Sequence, residues 1–125
     1  MKLLWVCVGG AIGSGARYLI AVWAVERFGK EFPWGTIAVN LGGCLLLGAL
    51  MRVGEKTSWF SPVLFLALTT GVMGGFTTYS TFNFEVLKLL QVGQTRTAVL
   101  YVILTLGGGF LAGAAGYIGA RAALA

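Results

Sequence analysis

The chain has 125 residues, of which 58% are apolar and only 10% are charged. Soluble domains usually carry about 25% charged residues, so this composition excludes a soluble fold and indicates a membrane protein. Nine Lys and Arg residues against four Asp and Glu residues give a formal net charge of +5, and the basic residues are single along the chain. They form no basic patch, which excludes nucleic-acid binding.

The first apolar stretch runs from about residue 3 to residue 25. Its charged start and the small residues at 13–16 also resemble a secretory signal peptide. However, the apolar sequence resumes at Tyr18 and the rest of the chain is equally apolar, so we favour a retained span. Arg17 is an isolated charge within this stretch, where it is expected to snorkel or to lie in a water-filled vestibule.

Three further stretches, at about residues 34–51, 59–90 and 98–120, are long and apolar enough to span a membrane. The polar segments between them are short, so neighbouring helices are expected to be antiparallel. The sequence therefore predicts an all-α membrane protein, with residues 1–125 forming a single domain of four transmembrane helices.

Asn40 is a polar residue within the second stretch. Polar groups inside membrane spans cost free energy and are candidates for function. Its amide is expected either to hydrogen-bond another helix or to line a pore.

The third stretch is too long for one ordinary span and contains a polar insert at residues 74–83. Gly74 and Gly75 favour a helix interruption near residues 74–80. Backbone that leaves the helix at membrane depth must be buried in protein or line an aqueous cavity. Interrupted helices recur at ion and substrate sites, because their freed carbonyl and amide groups become ligands.

The residues after this interruption form two pairs at helical spacing. Thr78 and Thr81 would share one helix face, and Tyr79 and Phe82 the adjacent one. Hydroxyl donors and the positive edges of aromatic rings can both face an anion without holding it too tightly. The same pattern is also compatible with ordinary core packing.

Glu85 and Lys88 follow three residues apart on the same helix. They are expected to form a surface ion pair, unless Glu85 belongs to a functional site. In the first and last stretches, Gly9 with Gly13 and Ala112 with Gly116 have the small-xxx-small spacing that lets membrane helices pack closely.

Basic residues are almost evenly distributed between the two sides of the predicted topology. One side would carry Lys2, Arg52, Lys56 and Arg121, and the other Arg27, Lys30, Lys88 and Arg96, with Arg17 nearer the second side. Orientation is set mainly by an excess of Lys and Arg in cytoplasmic loops, and no such excess exists here. The balance predicts insertion in both orientations and an antiparallel, dual-topology homodimer.

Three motifs resemble the Fluc or CrcB family of fluoride channels over essentially the whole chain. They are Gly9-Gly10-Ala11-Ile12-Gly13-Ser14-Gly15-Ala16-Arg17-Tyr18, residues 36–43 with Asn40, and Gly74-Gly75-Phe76-Thr77-Thr78-Tyr79-Ser80-Thr81-Phe82. The resemblance implies passive, selective export of fluoride through two pores in a dual-topology dimer, in the inner (plasma) membrane of the cell.

The resemblance also implies roles for individual residues. A structural sodium ion would be held at the dimer centre by backbone carbonyls of Gly74 and Thr77. The pore would be lined by Asn40, Thr78, Tyr79, Ser80, Thr81, Phe82 and Tyr101, and the vestibule would contain Arg17 and Glu85. One departure is Tyr79, because the family usually has phenylalanine there.

A small dual-topology multidrug or cation transporter is the main alternative, and a non-transporting membrane scaffold is another. Proton-coupled drug transport needs a carboxylate buried in a span, but the first span has none and Glu26 lies at its end. An enzyme is disfavoured, because the chain has no histidine and no visible nucleophile–base pair. Cys7 and Cys44 lie in apolar segments and are expected to be small packing residues.

Overall fold

A computed structural model describes all residues from 1 to 125, and the chain is helical, with no strands. Four helical stretches are long and apolar enough to cross a membrane: Lys2–Phe28, Trp34–Lys56, Pro62–Gln91 and Thr95–Ala123. In chain order the elements are α1 (Lys2–Phe28), α2 (Trp34–Lys56), α3 (Pro62–Leu66), a π-helical segment (Ala67–Met73), α4 (Gly74–Phe76), α5 (Tyr79–Gln91) and α6 (Thr95–Ala123).

Capping and turn residues explain where these helices begin and end. Gly29 and Gly93 have positive φ angles of 85° and 79° at the ends of α1 and α5, a conformation that glycine adopts without strain. Ser61 caps α3 by accepting a hydrogen bond from the Leu64 amide at 3.2 Å. Pro62 follows at the first helical position, where its missing N–H costs no hydrogen bond.

Thr77 and Thr78 separate α4 from α5 within the third stretch. Both have extended backbone, with ψ angles of 157° and 112°. Thr78 then starts α5 as its N-cap, because its side-chain oxygen accepts a hydrogen bond from the Thr81 amide at 3.3 Å. The third stretch therefore contains two consecutive non-helical residues between its two helical parts.

Close backbone contacts hold the helices together in two pairs, α2 with α6 and α1 with the third stretch. A Cβ atom at Gly116 would collide with the Leu45 carbonyl of α2. A Cβ atom at Gly13 would likewise collide with the Val72 carbonyl of the π-helical segment. Because only glycine permits these approaches, the small residues bring the backbones of paired helices into van der Waals contact.

The outer surface of the molecule is apolar, and only 16 of 125 residues are buried. Large side chains such as Leu3, Phe110 and Leu111 are more than 70% exposed. A surface of this kind requires lipid or another protein against it. The small interior is a cluster of Phe82, Leu89, Ala98 and Tyr101, where α5 meets α6.

Candidate functional site

Asn40 holds the non-helical residue Thr78 through two hydrogen bonds. The Thr78 amide donates to Asn40 Oδ1 at 2.7 Å, and Asn40 Nδ2 donates to the Thr78 carbonyl at 3.0 Å. In a continuous helix the Thr78 amide would instead donate to the Gly74 carbonyl. The side-chain amide therefore takes the place of two backbone partners at the end of α4.

The break leaves three backbone carbonyls, those of Gly74, Phe76 and Thr77, without any hydrogen-bond donor. In a continuous helix the Gly74 carbonyl would accept from the Thr78 amide, but this amide donates to Asn40. The Thr77 carbonyl would likewise accept from the Thr81 amide, which donates to the Thr78 hydroxyl instead. Carbonyl oxygens are ligands for hard cations, so the freed carbonyls of Gly74 and Thr77 fit a sodium ion chemically.

Arg17 approaches the same break from α1. Its Nε donates to the Gly75 carbonyl at 3.0 Å, which is the carbonyl that the Tyr79 amide would reach in a continuous helix. Arg17 also lines a cavity of about 270 Å³ that includes Thr78 and Thr81. The guanidinium is thus half-buried beside threonine hydroxyls, where it supplies positive charge close to the break.

Three aromatic rings form a file beside the break. The Tyr79 and Phe82 centroids are 5.7 Å apart at 73°, and the Phe82 and Tyr101 centroids are 5.0 Å apart at 88°. These are edge-to-face contacts, so ring edges, which carry partial positive charge, point along the file. Tyr101 is fully buried, whereas Tyr79 is 75% exposed.

An open groove of about 410 Å³ runs past the rings of Tyr79 and Phe82, whereas the buried Tyr101 does not line it. It collects residues from the second, third and fourth stretches: Asn40, Gly43, Cys44, Leu47, Thr69, Met73, Gly74, Thr77, Thr78, Tyr79, Phe82, Thr105, Leu106, Gly109 and Phe110. Two residues with freed carbonyls, Gly74 and Thr77, therefore share one surface with Asn40 and with the first two rings of the file, Tyr79 and Phe82.

The hydroxyl groups form a short cluster at the start of α5. Thr78 Oγ1 donates to Thr81 Oγ1 at 3.0 Å, as the shared helix face of these residues predicts. Ser80 Oγ lies 3.5 Å from the Thr78 hydroxyl on the exposed side. The cluster offers several uncharged donors next to Arg17.

Glu85 accepts hydrogen bonds from two hydroxyls on one carboxylate oxygen, Oε1. Thr36 donates at 2.6 Å and Tyr101 at 3.3 Å. The surface pair with Lys88 is not formed, because the Lys88 ammonium lies over the Phe84 ring, 5.6 Å from its centroid. Glu85 is therefore tied to the interior of the bundle.

Sequence reasoning missed Thr36 and Thr105. Thr36 lies four residues before Asn40, and Thr105 lies four residues after Tyr101, so each shares a helix face with a residue that was singled out. The Thr105 hydroxyl is buried in the groove wall without a hydrogen-bond partner. Buried polar groups are nearly always paired, so this hydroxyl in the groove wall keeps an unused capacity to donate.

Taken together, the groups around the break suit the binding and passage of a small anion. Apart from Arg17, the groups that could face an anion are hydroxyls, one side-chain amide and aromatic ring edges, and none of these carries a full charge. No group of three or more His, Cys, Asp or Glu side chains lies close enough together to bind a metal. A cation at the break would therefore depend on backbone carbonyls.

Comparison with known proteins identifies the family. The family described as CrcB-like protein, Camphor Resistance (CrcB), matches residues 4–117. A fluoride-specific ion channel FluC from Anaeromyxobacter sp. (strain K) is 49% identical over 86% of this chain and 85% of its own.

Two further relatives carry the same name, which describes a non-enzymatic function. The protein from Acidobacterium capsulatum is 48% identical over 90% of each chain. The protein from Sorangium cellulosum is 46% identical over 99% of this chain and 98% of its own. With its four apolar helices, this multi-pass membrane protein belongs to the CrcB family.

Proposed function

We propose that the chain is a fluoride-selective ion channel that exports cytoplasmic fluoride passively, down its gradient, across the inner (plasma) membrane. Relatives that are 46–49% identical to it are named as fluoride-specific ion channels. On the chain itself, the proposal is carried by the groove that joins aromatic ring edges to uncharged hydrogen-bond donors. Selective conduction needs contacts that replace the hydration shell of the ion yet still release it.

In this proposal the path is lined by the ring edges of Tyr79 and Phe82, by the Thr105 hydroxyl and, beyond the groove, by the ring of Tyr101, whose hydroxyl donates to Glu85. Each contributes partial positive charge, so none traps the anion as a lysine would. Asn40 contributes as well, because only one of its two Nδ2 hydrogens is needed for the bond to Thr78. The second N–H is available to an ion in the groove.

The hydroxyls of Thr78, Ser80 and Thr81 extend this path as a polar track beside the rings. At its two ends lie the charged vestibule residues, Arg17 and Glu85. Arg17 attracts anions electrostatically. Glu85, held by Thr36, orients the Tyr101 hydroxyl at the other end.

We further propose a structural sodium ion at the carbonyls of Gly74 and Thr77 from each of two copies. The loss of both helical donors supports this assignment, because Gly74 is exposed and Thr77 half-buried on a surface where lipid could not pair their carbonyls. When bound, the ion supplies positive potential near the anion path. The freed carbonyls of the chain itself provide its oxygen ligands.

The open groove also supports an antiparallel, dual-topology homodimer with two pores. Tyr79 and Phe110 are 75% and 81% exposed beside freed backbone carbonyls. Lipid cannot hydrogen-bond such carbonyls, so the groove needs protein or water against it. A second copy related by a two-fold axis would cover it, and the symmetry would create two equivalent pathways.

The test is fluoride efflux from liposomes that contain the purified chain and are loaded with potassium fluoride. A potassium ionophore should start rapid efflux, because a passive channel needs a counter-ion to move. Liposomes loaded with potassium chloride should retain their chloride under the same conditions. Equal loss of both anions would refute selectivity, and proton-driven uptake of cationic dyes without fluoride efflux would favour a drug transporter.

A further inference from the structure

A rigid turn between α1 and α2 fixes the position of Phe32. Pro33 has φ −80° and ψ 64°, and the Trp34 amide donates to the Phe32 carbonyl at 2.8 Å. These values describe an inverse γ-turn, and the proline ring restricts φ to this range. The turn therefore sets the direction in which the Phe32 side chain leaves the backbone.

The Phe32 ring packs on Tyr101 at one end of the aromatic file. The two centroids are 5.6 Å apart at 66°, and Phe32 also lies 4.7 Å from the Trp34 ring. Tyr101 is fully buried, and Phe82 contacts it with a centroid distance of 5.0 Å. Phe32 and Phe82 therefore both restrict the Tyr101 ring.

The hydrogen bond that Tyr101 makes is sensitive to the position of its ring. Its hydroxyl donates to Glu85 Oε1 at 3.3 Å, which is longer than the usual range of about 2.5–3.0 Å for an O–H donor, whereas Thr36 donates to the same atom at 2.6 Å. A displacement of a few tenths of an ångström would break the first bond and leave the second.

Space for such a displacement lies next to Phe32. A cavity of about 350 Å³ opens at this end of the molecule, and its lining includes Phe32, Thr36 and Glu85. A smaller, flexible side chain at position 32 would leave more of this space beside Tyr101 and would not restrict its ring in the same way.

We propose that Phe32 is a positioning residue of the anion path, which acts by holding the Tyr101 hydroxyl against Glu85. This inference rests on the proposed channel function, because Tyr101 lines the path in that proposal. Phe32 itself need not touch the anion.

The test compares fluoride efflux from liposomes for Phe32→Leu, Phe32→Tyr and a matched control, Phe28→Leu. Phe28 packs on Trp23 and Trp34 at 5.6 and 6.0 Å and belongs to the same end of the molecule, but it makes no ring contact with Tyr101. Phe32→Leu should lower efflux about fivefold, the factor expected for one lost hydrogen bond. Phe32→Tyr retains the ring and should restore efflux, and Phe28→Leu should conduct like the parent.

A double-substitution cycle separates positioning from general packing. If Phe32 acts through the Tyr101 hydroxyl, adding Phe32→Leu to Tyr101→Phe should cause no further loss of efflux. Equal losses in both backgrounds would overturn the proposal. Size-exclusion chromatography of each variant identifies any loss of efflux that is due to failed assembly. If Phe32→Leu does not assemble, assembled Phe32→Tyr protein decides: efflux like the parent supports the proposal, and lost efflux overturns it.

The second measurement does not depend on transport. With ¹³C-labelled tyrosine, the ring-carbon resonance of Tyr101 is assigned by its disappearance in Tyr101→Phe. Phe32→Leu should shift this resonance, whereas Phe32→Tyr and Phe28→Leu should leave it close to its position in the parent. An unmoved resonance in Phe32→Leu overturns the proposal, whereas a parent chain without fluoride efflux refutes the channel function alone.

Discussion

At the scale of single residues, the break in the third stretch depends on side chains that substitute for backbone partners. Asn40 bonds both polar groups of the Thr78 backbone, and Arg17 bonds the Gly75 carbonyl. Backbone polar groups away from water must be paired, and in lipid the cost of leaving them unpaired is highest. These two side chains therefore supply partners for the polar groups of the non-helical backbone.

Phe82→Ile tests whether the aromatic file is a pore or a packed core. Isoleucine keeps bulk and apolarity but removes the ring edge, so stability should fall by only about 1 kcal/mol while fluoride efflux collapses. Phe84→Ile is the control, because Phe84 is on the same helix but 60% exposed. Assembled Phe82→Ile protein that conducts like the parent would show that the ring is a packing element.

Asn40→Asp should affect both the break and the path. The aspartate retains an acceptor for the Thr78 amide but loses the donor to the Thr78 carbonyl, and it places negative charge in the groove. We expect thermal stability to fall by about 1–3 kcal/mol and fluoride efflux to be abolished. Thermal unfolding and efflux are measured on the same preparation, and unchanged values for both would contradict the two assigned bonds.

At the scale of helices, the π-helical segment Ala67–Met73 lies against α1 with almost no side chain between the two backbones. The glycines of α1 are not equivalent in this contact. Gly13 faces the Val72 carbonyl, whereas Gly15 has open space at its Cβ position. The spacing of small residues in the sequence indicates a packing face. The contacts show that Gly13, and not Gly15, must be glycine for the two helices to approach this closely.

Substituting these two glycines tests the helix pair. Gly13→Ala should destabilise the protein by about 1–3 kcal/mol, because its Cβ would force α1 away from the π-helical segment. Gly15→Ala, the control, should be neutral or stabilise by up to about 1 kcal/mol, because alanine has the higher helix propensity. Thermal unfolding in detergent measures both changes, and equal effects would contradict the close approach at Gly13.

At the scale of the whole molecule, the apolar exterior and the balanced charges both bear on assembly. Lys and Arg residues number four on each side, with Arg17 inside the first span. A near-balance gives no consistent orientation signal, so the same chain should insert both ways. The open groove that contains the break would then meet its counterpart in an inverted copy.

We expect a cysteine added at the C-terminus, in a chain whose Cys7 and Cys44 are replaced by serine, to react from both sides of the membrane. An impermeant thiol reagent should label about half of the chains in intact cells and the rest after permeabilisation, because both orientations are nearly equally favourable. As a control, adding two lysines at one loop should bias the labelling. Labelling from one side only in the unbiased chain would contradict dual topology.

The sodium assignment makes a separate prediction about the assembly. Replacing sodium with a large organic cation should loosen the dimer and abolish efflux, because the carbonyls of Gly74 and Thr77 would lose their partner. Size-exclusion chromatography and efflux are measured before and after sodium is restored. Dimers that remain assembled and fully active without sodium would contradict the site.

The sequence by itself determined that the chain is a membrane protein of the CrcB family with four apolar helices. Length and composition are sufficient for this conclusion, because a helix needs about 20 apolar residues to span a lipid bilayer. The polar insert and its threonine and aromatic pairs likewise indicated that the candidate functional residues lie at the start of α5. Helical spacing alone places Thr78 beside Thr81 and Tyr79 beside Phe82.

Only the tertiary structure decided which distant groups meet. Asn40 reaches Thr78 across 38 positions, Thr36 reaches Glu85 across 49, and Arg17 reaches Gly75 across 58. These contacts depend on how each helix is rotated and how closely its glycines let it approach a neighbour. Apolar composition determines neither the rotation of a helix nor its distance from a neighbour, because every apolar face of a membrane helix can contact lipid or protein.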